Sequence, residues 1–235
     1  YNADVRLRNY ICIIFLGGNT MKNENNLCEL VFIIDKSGSM SGLEGDTIGG
    51  FNSMIKQQKA EKGKCLVSTV LFDTYCSVLH DRFNIRKVKF MKAKDYIPGG
   101  CTALLDAVGG AIHHIGNIHK YARKEDIPSK TLFVIITDGM ENASHNYTCD
   151  KVKKMIERQK EKYGWEFIFL GANIDALTTA KGFGIEEEFA TNYMPDAQGT
   201  KNVYEAVNQA VNSVRFDCPM EFWKEGVEND YENRK

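Results

Sequence analysis

Residues 31–40 read VFIIDKSGSM: an apolar run stops at Asp35, and Ser37 and Ser39 follow at alternate positions. Two later segments carry similar chemistry. Thr102 follows Gly99-Gly100-Cys101, and Asp138-Gly139 ends the apolar run KTLFVIITD. All five side chains offer hard oxygen, with no His or Cys among them. Such a set favours Mg²⁺, Mn²⁺ or Ca²⁺ over zinc or copper. Mg²⁺ in particular keeps several waters and needs only one or two carboxylates. Gly38, Gly99, Gly100 and Gly139 suit loops that must bring side chains to one point.

Other chemistries fit less well. By itself, Asp-x-Ser-x-Ser is also a turn or helix cap. A Ca²⁺-binding helix–loop–helix needs Gly at loop position 6 and Glu at position 12, where this chain has Met40 and Asp46. A serine-hydrolase elbow needs Gly-x-Ser-x-Gly, but Gly38–Gly42 centres on Met40. An aspartyl-phosphatase pattern wants Asp-x-Asp, and Ser37 stands in the second place. No phosphate-binding Gly-rich loop or dinucleotide fingerprint is present. His113, His114 and His119 do not pair at helical i, i+4 spacing and are expected to be satisfied locally. Cys101 is expected to be a packed thiol. Asp106 is either a supporting hydrogen-bond partner or an ordinary helix position. Glu141 and Asn142 are read as solvated loop residues at the rim.

Elements must deliver these residues to one place. Buried strands are predicted at 30–35, 64–73, 130–138 and 165–171 from their apolar, β-branched runs. A strand at 75–81 follows the second one so closely that the pair must be an antiparallel hairpin. A last short strand is predicted at 186–191. Helical periodicity covers Thr47–Gly63, Cys101–Ala122, Asp150–Gly164, Asn173–Gly182 and Lys201–Phe216. Gly164 is placed to end its helix with positive φ. Strands alternating with helices predict an α/β fold with a doubly wound, mostly parallel sheet and helices on both faces. In such sheets ligands sit outside the carboxyl ends of the strands, where strand order reverses. If the first strand neighbours the 130–138 strand, Asp35 and Asp138 face each other across that crevice.

The 235 residues fit one domain, and 43% apolar residues can fill a sizeable core. A formal net charge of −1 with no long charge run argues against nucleic-acid or membrane-surface binding. The seven cysteines include no Cys-x-x-Cys pair, which disfavours zinc ribbons and suits reduced thiols in a cytoplasmic protein. Residues 1–21 contain ICIIFLGG, too short to span a bilayer, and are expected to be a leader or an extra edge strand. Residues 22–216 are read as the domain and 217–235 as a polar C-terminal tail with one apolar patch.

DKSGSM, followed by GGCT and ITDG, resembles a von Willebrand factor A-type domain over about residues 28–216, most closely its small intracellular bacterial or phage members. The resemblance implies a Rossmann-like six-stranded sheet of order 3-2-1-4-5-6. It also implies a metal-ion-dependent adhesion site, with Ser37, Ser39 and Thr102 contacting Mg²⁺ (or Mn²⁺ or Ca²⁺) and Asp35 and Asp138 reaching it mostly through water. Neutral hydroxyls around the cation leave its charge poorly neutralised, so it should attract a Glu or Asp carboxylate of a partner protein. The expected function is thus a non-enzymatic, metal-dependent protein-binding module. Two alternatives stand beside it: a regulatory subunit of a chelatase-like AAA-type ATPase, and a metal-dependent phosphohydrolase.

Overall fold

The computed structural model describes residues 26–235. The expectation for residues 1–21 lies outside them. Strand β1 (Leu27–Asp35) is buried from Cys28 onward. A 3₁₀ turn at Gly38–Met40 leads into helix α1 (Glu44–Ala60). Strands β2 (Lys64–Phe72) and β3 (Cys76–Asn84) form the antiparallel hairpin. Helix α2 (Leu104–Tyr121), strand β4 (Lys130–Thr137), helix α3 (Cys149–Tyr163) and strand β5 (Glu166–Gly171) follow. The chain ends with helix α4 (Ala176–Gly182), strand β6 (Ala190–Asn192), helix α5 (Ala197–Arg215) and helix α6 (Glu225–Arg234).

The six strands lie in the order β3-β2-β1-β4-β5-β6, parallel except for the β2–β3 pair. Alternation along β1 sends Leu30, Phe32 and Ile34 to one face, and Val31 and Ile33 to the other. The first face is covered by α1, α5 and α6, through Phe51, Met54, Val207, Val211 and Val227, with Trp223 just before α6. The second is covered by α2, α3 and α4, through Val108, Ile112, Ile156 and Ala180. Both faces of the central strands are therefore dry, which explains their continuous apolar runs.

Helix ends follow local chemistry. Asp196 caps α5 by accepting from Gly199 N at 2.8 Å. Gly164 closes α3 at φ +64°, as its spacing predicts.

Three expectations are corrected. Strand β3 runs to Asn84, beyond the predicted 81, because a bulge around Ser68 lets it stay paired with β2 past Thr69. The last strand shrinks to Ala190–Asn192, and Glu187–Phe189 turn as a 3₁₀ helix. The polar tail is partly helical and docked. Trp223 and Val227 are buried, and Trp223 Nε1 donates to Glu188 O at 3.1 Å. Two apolar residues spaced one turn apart suffice to seat it. Among the described residues no helix is long and apolar enough to cross a membrane.

Candidate metal centre

Strand order reverses between β1 and β4, and their carboxyl ends deliver Asp35 and Asp138 to one crevice. Asp35 is fully buried and held from three directions. Its Oδ1 accepts from Ser37 N at 2.7 Å, closing a turn that aims the serine loop back over the strand end. Its Oδ2 accepts from Thr137 Oγ1 at 2.6 Å, tying β1 to β4. Its main-chain oxygen accepts from Tyr96 Oη at 2.5 Å.

Ser39 Oγ donates to Asp138 Oδ1 at 2.6 Å. Ser37 Oγ lies 3.1 Å from Ser39 Oγ. Since Ser39 has one proton, Ser37 must donate in that contact. Thr102 joins the group through Gly139: a Cβ there would lie 2.9 Å from Thr102 Oγ1 and 3.4 Å from Ser39 Oγ. The absence of a side chain at 139 lets both hydroxyls approach. All five predicted residues thus converge.

Backbone contacts stitch the loops together. Gly38 N donates to Gly100 O at 3.1 Å, and Gly99 N to Lys36 O at 2.9 Å. Gly100 sits at φ +70°, where a Cβ would strike Thr74 Oγ1 at 2.6 Å. Lys36 pairs with Asp73 rather than with the buried carboxylates.

Burial dominates the electrostatics of the two acids. Burial raises the pKa of Asp35 despite its hydrogen bonds. Burial pushes Asp138 up to about 6, and the nearby Asp35 charge adds to the rise. Asp138 Oδ2 is buried without a hydrogen-bond partner. Among the described residues neither carboxylate has an ion-pair partner. Two buried acids, one with an orphaned oxygen, beside three hydroxyls fit a hard divalent ion. No group of three or more His, Cys, Asp or Glu placed to hold a metal occurs among the described residues. A cation here would depend on the hydroxyls as much as on the acids.

Sequence reasoning underrated the supporting residues. Asn142 is exposed, yet its Oδ1 accepts from Thr102 N at 2.9 Å and its N donates to Thr102 O at 3.0 Å. Glu141 accepts from Leu105 N at 2.8 Å and from Ala143 and Ser144. Asp106 accepts from the backbone of His145, Asn146 and Tyr147. These three residues clamp the 138–147 loop onto the start of α2. Thr137 and Tyr96 carry no sequence signal beyond a hydroxyl ending an apolar run and a tyrosine in a loop. Cys101 is corrected: it is exposed, because the turn at Gly100 buries Thr102 and leaves its neighbour outside. The histidines are satisfied away from the crevice. His119 meets Glu29 at 2.5 Å, His114 meets Asp81 at 2.9 Å, and His113 meets Asn117 at 2.8 Å.

No sequence family and no curated protein matches the chain. Solved structures do. The von Willebrand factor domain of the type V pili tip protein Mfa5 from Porphyromonas gingivalis aligns with a TM-score of 0.58 at 12% identity, over 79% of this chain and 95% of that one. The manganese-loaded TRAP protein of Plasmodium vivax aligns at 0.53 and 16%, over 76% and 72%. The PilB minor pilin from Streptococcus sanguinis aligns at 0.57 and 13%, over 86% and 64%. The chain therefore has the von Willebrand factor A-type fold.

Proposed function

We propose that this chain, folded as a von Willebrand factor A-type domain, is a metal-dependent protein-binding module. Asp35, Ser37, Ser39, Thr102 and Asp138 would hold a divalent cation, Mg²⁺ or Mn²⁺ by the chemistry of the donors. Once bound, the cation supplies positive charge that the hydroxyls do not neutralise and that a partner's Glu or Asp carboxylate can meet. The protein's own part is to keep the donors in place. Thr137 and the Ser37 amide orient Asp35, Ser39 bridges to Asp138, and Asn142 fixes Thr102. The observation that carries this reading is the buried, unpartnered Asp138 Oδ2 within a converged set of oxygen donors. The manganese-loaded state of the Plasmodium vivax TRAP protein supports it by similarity of fold.

Isothermal calorimetry with MgCl₂ and MnCl₂ tests the reading. The wild type should bind one ion, and Ser37→Ala and Gly139→Ala should each weaken binding by about tenfold or more. A folded wild-type protein that takes up neither ion would refute it.

A further inference from the structure

The cysteines of the described residues separate into two kinds. Cys76, Cys101 and Cys149 are exposed and Cys218 is half-buried, whereas Cys28 and Cys65 are 4% and 1% exposed. The buried two are neighbours. Strands β1 and β2 run parallel in continuous register, and Cys28 stands directly beside Cys65. Both face the side of the core that α1, α5 and α6 cover. Neighbouring strands lie about 4.8 Å apart, and a disulfide joins Cα atoms about 4.4–6.8 Å apart. The backbone spacing therefore already meets what a bridge requires. The two thiols are also in hydrogen-bond contact, and that contact, together with burial, raises Cys28 well above the ordinary thiol range.

Buried cysteines can serve as small apolar packing groups. Packing alone does not require a second thiol at the one position of β2 that lies across from the first.

We propose that Cys28 and Cys65 form a reversible disulfide that ties the start of β1 to the start of β2, with a low-molecular-weight disulfide as the oxidant. The thiolate of one cysteine attacks a sulfur of the oxidant, forms a mixed disulfide and expels one thiolate. The thiolate of the other cysteine then attacks the protein sulfur of that mixed disulfide and expels the second half. The two cysteines lose two electrons and two protons, and the oxidant gains both and leaves as two thiols. Burial keeps the thiolate scarce in the closed fold, so exchange there is slow and proceeds through local opening of the strand ends. Arg215 lies near enough for its charge to favour the Cys28 thiolate, and its Nη2 donates to Lys62 O, just before β2, at 2.9 Å. The bridge encloses α1 and the loop that carries Ser37 and Ser39. It restrains the unfolded chain over that long loop while the register of the sheet is kept.

The test equilibrates the full chain in glutathione buffers of graded oxidation, both natively and after refolding from urea, and maps its peptides without reduction. The peptides holding Cys28 and Cys65 should appear joined, lighter by two hydrogens, and should separate in dithiothreitol. The oxidised chain should melt about 5 °C or more above the reduced chain. Cys28→Ala and Cys65→Ala should each lose the joined peptide and the rise, and Cys76→Ala should keep both. Glutathione adducts without the joined pair, bridges that leave out Cys28 or Cys65, or a joined pair that lowers the melting temperature would each overturn the proposal. Two free thiols at 28 and 65 after both treatments in the most oxidising buffer would do the same, and would leave the pair as packing alone.

Discussion

At the scale of single residues, the crevice is a place where the fold gives up stability for chemistry. Asp138 ordinarily titrates near 3.8 and is pushed up to about 6. The folded chain therefore holds that proton more tightly than the unfolded chain. This group costs stability above about pH 6, and the cost disappears as pH falls below about 4. Asp138→Asn keeps an oxygen for Ser39 and removes the buried charge. Without divalent ions it should stabilise the protein by about 1–3 kcal/mol at pH 7 and hardly at all at pH 4. If Mg²⁺ binds as proposed, MgCl₂ should raise the melting temperature of the wild type, and this substitution should abolish that rise. Chemical denaturation at both pH values and thermal melts with and without the ion check this.

His80 shows the opposite sign. Its Nδ1 lies 3.0 Å from Thr69 Oγ1 and its Nε2 3.0 Å from Lys89 O. The carbonyl can only accept, so Nε2 carries the proton and Nδ1 accepts from the threonine. Burial holds His80 below its ordinary 6.5. Its contribution to stability is complete above about pH 6.5 and is lost as pH falls through the lower folded value. His80→Gln should flatten the fall in urea-denaturation stability between pH 7 and pH 5.

At the scale of elements, α1 and α5 pack closely enough that one methyl matters. A Cβ at Gly50 would meet the Tyr204 ring at 2.3 Å, whereas a Cβ at Gly49 would meet nothing within 4 Å. Gly50→Ala should cost about 1–3 kcal/mol by overpacking. Gly49→Ala should gain up to about 1 kcal/mol from helix propensity. Equilibrium unfolding of the two variants compares them directly. The elements were legible in advance because β1, β2, β4 and β5 are mostly apolar and the helices keep one apolar stripe. The β3 extension was not legible, since its residues are exposed on an edge strand and its pairing depends on a bulge. Of the candidate site, the five residues that converge were marked by residue type and spacing. Their supports were not. Asn142, Glu141 and Tyr96 act through backbone atoms of residues far away in the chain, and no local pattern records such partners.

At the scale of the whole molecule, the C-terminal segment joins the fold. Trp223 is almost fully buried against the face covered by α1 and α5, beside β6, and its indole N–H is bonded. Lys224 Nζ reaches Glu187 O and Ala190 O, both at 2.9 Å. The segment thus shields the short edge strand β6, which would otherwise leave backbone groups open. Trp223→Ala should cost about 3–5 kcal/mol in denaturant unfolding. A loss below 1 kcal/mol would show that the segment packs without contributing to the core.

Residue type and alternation alone determined that this chain builds a mostly parallel sheet with covered central strands, and they marked five oxygen-bearing side chains at strand ends and in the loops beside them, because burial and hard-oxygen chemistry are written in local composition. The motif resemblance already implied that β1 and β4 are neighbours, and the sheet order bears this out. Only the tertiary structure decided that Asp138 keeps one oxygen unpartnered and that the final helix closes the sheet edge. Those facts depend on contacts between residues about a hundred positions apart or more loosely patterned than any window can register, such as the bond from Thr137 to Asp35.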